Sequence, residues 1–108
     1  MNIDTQEIKR KIETEINESE IDNWHGITAE NISEHLIEPK LEEYIDLIDE
    51  SLIKELWTVL VELPNSHEGY TIYYDPIENA YGLGLKTVNK EKMTLGIYGS
   101  FITCLNGM

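Results

Sequence analysis

The chain has 108 residues, with 21 Asp or Glu against 8 Lys or Arg, for a net charge of −13. That length makes one domain, residues 1–108, with room for a modest core, and 41% hydrophobic with 27% charged residues is a globular rather than a disordered composition. So strong a negative field opposes phosphate, which argues against direct nucleic-acid binding and favours a basic protein as partner.

No apolar run approaches the length of a membrane span, so no membrane association is expected. The opening Met-Asn-Ile-Asp-Thr-Gln-Glu lacks the basic and apolar regions of a signal peptide, and a cytoplasmic location is the expectation. Cys104 stands alone, which excludes an internal disulfide. Without a Lys, Arg or His beside it to lower its pKa, it reads as a buried structural thiol. The acidity is uneven. Residues 1–56 hold 16 acids against 5 bases, and residues 57–108 hold 5 against 3.

Residues 4–17 predict a helix, because Ile8, Ile12 and Ile16 recur every four residues among polar ones. Asp4 and Glu7 have capping-box spacing, and Lys9–Glu13 and Lys11–Glu15 can pair one turn apart. Residues 18–27 read as a polar link anchored by Ile21 and Trp24. Trp24 beside His25 packs under the next helix or forms a recognition spot. Thr28 can cap a second helix, Ala29 to Ile37, which Pro39 would stop. His35 lies on it as a surface histidine, with no second metal ligand at helical spacing.

Residues 40–56 allow two readings. Leu41, Tyr44, Ile45, Ile48, Leu52 and Leu56 fit one helical face. The same stretch fits a hairpin, Leu41–Ile48, with a turn at Asp49-Glu50-Ser51 and a return strand reaching Leu63. The hairpin is favoured, because nothing between Ser51 and Leu63 would end a helix. Further on, Trp57, Val59, Val61 and Leu63 share one strand face, and Pro64–Gly69 is a loop that includes His67. Tyr70–Asp75 and Ala80–Lys86 are strands joined through Asp75-Pro76-Ile77-Glu78-Asn79. Gly82 and Gly84 mark a bulge or the close approach of an aromatic, with ligand access as the other reading. A turn at Asn89-Lys90-Glu91 precedes a strand from Met93 to Tyr98, and Phe101–Leu105 is a short closing helix.

The fold expectation is therefore α+β, with N-terminal helices packed on one face of an antiparallel four- to five-stranded meander sheet and a short C-terminal helix. Trp57, Val59, Val61, Tyr70, Ile72, Leu83, Leu85, Ile97 and Phe101 are its expected core.

No catalytic constellation is visible. No nucleophile lies beside a base, the three histidines are scattered, no cofactor or metal motif occurs, and 21 acids give no means of choosing an acid–base pair. The expectation is no enzyme, no cofactor and no metal. A small-molecule enzyme built around Tyr73, Tyr81, Gly82 and Gly84 is the outlying possibility.

The segments Trp57-Thr-Val-Leu-Val-Glu-Leu-Pro, Gly69-Tyr-Thr-Ile-Tyr-Tyr-Asp75, Tyr81-Gly-Leu-Gly-Leu and Leu95-Gly-Ile-Tyr-Gly-Ser-Phe101 resemble small immunity proteins of bacterial polymorphic-toxin and contact-dependent inhibition systems. The resemblance spans residues 57–108 and is carried by strand pattern, not by catalytic motifs. It implies a cytoplasmic inhibitor that binds and neutralises a cognate toxin domain, such as a nuclease with a basic groove, and it carries over no binding residues. An acidic adaptor or regulator without a toxin partner is the alternative. The expected contact residues, read from charge density, are Glu42, Glu43, Asp46, Asp49 and Glu50 acting together, with Tyr73 and Tyr81 as a second, aromatic face. Reversing Asp46, Asp49 and Glu50 is expected to leave stability nearly intact.

Overall fold

The computed structural model describes residues 4–23, 25–66, 68–87 and 91–108, together with the backbone but not the side chains of Ile97 and Tyr98. Trp24, His67, the expected Asn89-Lys90 half of a turn and the expected burial of Ile97 lie outside the described residues. The elements are α1 (Thr5–Glu18), a 3-10 turn (Ile32–Glu34), β1 (Leu36–Asp46), β2 (Ile53–Val61), β3 (Gly69–Asp75), β4 (Ala80–Lys86), β5 (Lys92–Gly99) and α2 (Phe101–Asn106).

The five strands run as a meander, and the sheet closes on itself as a barrel. Each consecutive pair is antiparallel, so after five strands the last runs in the direction of the first. The closing seam, Tyr44–Asp46 against Lys92–Thr94, is accordingly parallel. This corrects the expected layout of helices on one face of an open sheet. The molecule is α+β, but its sheet has a lumen, and α1 and α2 lie against the outside wall.

Closure requires strong bending, and the register shifts supply it. β2 shifts between Thr58 and Leu60, and β4 against β5 shifts at Tyr81/Gly82 and at Leu83/Gly84. The first shift puts Thr58, Val59 and Leu60 all out of solvent, so the expected single face of Trp57, Val59, Val61 and Leu63 breaks up. Leu63 falls beyond the strand and is exposed.

Inside the barrel stand Tyr44, Leu56 and Tyr73, all fully or nearly fully buried. The Tyr44 hydroxyl bonds Thr58 Oγ1 at 2.6 Å and Thr71 Oγ1 at 3.0 Å, which satisfies the polar atoms of a core this narrow. Gly82 and Gly84 make room for the rings. A Cβ at Gly84 would lie 2.5 Å from Thr71 Oγ1 and 2.6 Å from Tyr44 Cε2, and one at Gly82 would collide with the Tyr73 hydroxyl. The expected close approach of aromatics is what these glycines serve.

A larger core lies outside the wall. Ile8 and Ile12 of α1, Phe101, Ile102, Cys104 and Leu105 of α2, and Ile27 and Ile32 of the link cover Val59, Leu60, Ile72, Tyr81 and Leu83. Burying each large apolar side chain is worth about 1.5–3 kcal/mol. Of the expected core, Val59, Ile72, Leu83 and Phe101 are buried, while Trp57, Val61, Tyr70 and Leu85 are half-buried.

α1 starts as its sequence dictates, with the Asp4 carboxylate accepting from Gln6 N and Glu7 N. Its ion pairs differ from expectation: Lys9 reaches Glu38 at 2.6 Å, and Lys11 turns back to Glu7. The second helix does not form. Thr28 accepts from Asn31 N as a cap would, but only one 3-10 turn follows before Leu36 enters the sheet opposite Leu60. Sheet pairing overrides the local helical signal there. Pro39, expected to stop that helix, sits in β1 at the irregularity between Leu36 and Lys40, where a missing ladder N–H is tolerated. His35 is half-buried rather than on the surface, and its Nδ1 donates to Val61 O.

Candidate functional site

Residues 40–56 form the hairpin, not the helix. The Asp46 carboxylate fixes the turn by accepting from Ile48 N at 2.9 Å and Asp49 N at 3.0 Å, and Asp49 accepts from the Ser51 amide and hydroxyl. With the register set, side chains alternate between lumen and exterior. Glu42, Tyr44 and Asp46 take the lumen side with their partners Leu56 and Lys54. The exterior carries three successive cross-strand rungs, Leu41 opposite Trp57, Glu43 opposite Glu55, and Ile45 opposite Ile53.

This exterior is unlike the helix-covered wall. Leu41 is 45% exposed and Ile53 56%, and Leu47, Ile48 and Leu52 at the tip are exposed as well. Five of the seven exposed large apolar residues among those described therefore belong to one hairpin. Glu43 and Glu55 are both exposed, and no salt bridge or side-chain hydrogen bond engages either carboxylate among the described residues. Like charges directly opposite on neighbouring strands are destabilising. A shallow hollow of about 540 Å³ lies over Leu41, Glu43, Ile45, Ile53 and Glu55, bordered by Lys40, Glu42, Glu91 and Lys92.

The bordering cations are already engaged. Lys92 Nζ donates to Glu42 Oε2 at 2.9 Å, and Lys40 lies 4.0 Å from the same oxygen. Burial pushes the Glu42 carboxyl up, but the Thr58 hydroxyl and the Lys92 and Lys40 ammonium groups outweigh it and hold the pKa below the ordinary value. Lys54 faces Asp46 at 3.8 Å. Asp46 is likewise held low, chiefly by the Asp49 and Ile48 amides of the turn.

The residues expected to act together are thus divided by the strand's two faces. Glu43, Asp49 and Glu50 are exposed, while Glu42 bridges lysines at the barrel mouth and Asp46 is committed to the turn. Reversal of Asp46 should therefore loosen the hairpin, contrary to expectation. Tyr73 and Tyr81 form no aromatic face. At 2% and 6% exposure they are buried, Tyr73 in the lumen and Tyr81 in the outer core, where its ring meets Phe101 edge-on. Desolvation raises the pKa of both hydroxyls, as it raises that of Tyr44 to about 12, so all three tyrosines stay protonated.

Sequence reasoning missed Glu55, Leu41 and Ile53 as one surface with Glu43. The signal was present as the apolar–acid–apolar alternation on each arm, but only the pairing register brings the two acids together. It missed a second pair as well. Glu62, 8% exposed, accepts from Tyr70 N with one oxygen and meets His25 Nδ1 with the other, and the His25 ring lies edge-on to Tyr70. That pair ties the link to the barrel. Among the described residues no group of three or more His, Cys, Asp or Glu is placed to hold a metal ion, and no helix is long and apolar enough to cross a membrane.

No protein-family model matches the chain, and no curated protein or solved structure matches it significantly.

Proposed function

We propose that the protein is an immunity-type inhibitor, which binds and neutralises a cognate basic toxin domain through its acidic β1–β2 hairpin. The observation that carries this reading is the fate of the charges. Lys9, Lys11, Lys40, Lys54 and Lys92 lie in internal ion pairs, and Lys86 donates to the carbonyls of Leu63 and Ser66. Glu43, Asp49, Glu50 and Glu55 are left exposed beside exposed apolar side chains. Such a surface offers a basic groove the charge that nucleic acid offers it, and long-range attraction speeds the encounter. A nuclease is the toxin class that fits.

The test is co-expression with the toxin domains encoded next to this chain, followed by association kinetics at two salt concentrations. The expected result is that this chain rescues growth from one of those toxin domains and binds it with an on-rate that falls steeply as salt rises. Absence of protection against every such domain would remove the reading.

A further inference from the structure

We propose that the exterior rungs of the β1–β2 hairpin are the docking face, and that their occupant is an arginine of a basic protein partner, held between Glu43 and Glu55 and flanked by apolar side chains. This rests on the reading of the protein as a binder of a basic partner and names where and how that partner is held.

Register puts the two carboxylates on adjacent strands directly across from each other, with Cβ atoms about 5 Å apart. A planar guanidinium presents donors in a fork and can serve both carboxylates at once, which a point-charge ammonium does less well. The rungs on either side are apolar, Leu41 with Trp57 and Ile45 with Ile53, so a partner seated here would exclude water from the central charge pair and strengthen it. Charge decides among occupants. Nucleic acid and anionic lipid are repelled. A second copy of this chain, docked about a two-fold axis, would set four carboxylates against one another. A cationic protein surface meets no such penalty and removes the repulsion within the Glu43–Glu55 rung.

The probe is a small disulfide-closed hairpin peptide presenting one Arg between Leu residues, compared with the same peptide carrying neutral citrulline in place of Arg. The isotope-labelled full chain is titrated with each at low salt and followed by amide chemical shifts. Saturable shifts at residues 41–45 and 53–57 are expected, with affinity about tenfold weaker for the citrulline peptide and for the Glu43→Gln and Glu55→Gln chains. Equal binding of the two peptides, shifts centred elsewhere, no saturation at low salt, or self-association of the chain through residues 41–57 would each overturn the proposal. Binding here by a chain that protects against no toxin would keep the face and discard the immunity reading. Protection that survives Glu43→Gln with Glu55→Gln would do the reverse.

Discussion

The β3–β4 wall and the β1–β2 hairpin use the same two-residue alternation, yet their outer faces meet different fates. Outside β3 and β4, Ile72 and Leu83 are buried in one core with Phe101 and Leu105 of α2 and the isoleucines of α1. Outside the hairpin, Leu41 and Ile53 meet solvent, and a pair of glutamates stands between the apolar rungs. The wall is apolar because something covers it within the chain. The hairpin mixes acid into an apolar stripe, and nothing in the chain pairs with that acid among the described residues. Two carboxylates directly opposite each other are a cost to folding rather than a contribution to it.

The widest separation between the two regions should appear on truncating their outer side chains. Phe101→Ala removes a fully buried ring from the cover of the wall and should cost about 3–5 kcal/mol, a large part of a small domain's stability. Ile53→Ser on the hairpin should cost about 0.5 kcal/mol or less, as exposed substitutions do. Denaturant midpoints for the two variants check this, and comparable losses would mean that the hairpin face is also a folding surface.

A smaller effect separates the hairpin's own two sides. Glu42, on the lumen side, has its pKa depressed in the folded state, so it contributes stability that is present above its unfolded value near 4.5 and lost as pH falls through the lower folded value. The advantage of the wild-type chain over Glu42→Gln should be greatest at neutral pH and narrow below about 4.5. Thermal melts of both chains across that window measure it, and a constant gap would show that Thr58 and the lysines do not hold the Glu42 carboxyl below its unfolded value.

How much of this was legible in the sequence follows from the length scale of each signal. α1 was readable because its isoleucine stripe and Asp4 cap are local. The strands were readable from alternation and turn residues, and so was the crowding at Gly82 and Gly84. Closure was not, since the lumen and one side of an open sheet give the same period, and Tyr44 meets Thr71 only after the chain has bent around. The failed helix at 29–37 shows the same limit, because pairing with Leu60 is a long-range fact. Site residues chosen by charge density mixed the two faces of β1. Parity separates Glu43 from Glu42, and register adds Glu55.

The claim that this face is kept for a partner rather than for folding meets its most direct test in Glu55→Lys. The substitution turns the like-charged rung into an opposite-charged pair with Glu43 at an exposed position. The expected result in urea denaturation is a gain of about 0.2–1 kcal/mol with an unchanged slope, accompanied by loss of binding to the arginine hairpin peptide. A variant that is less stable than the wild type, or one that binds the peptide as tightly, would contradict the account.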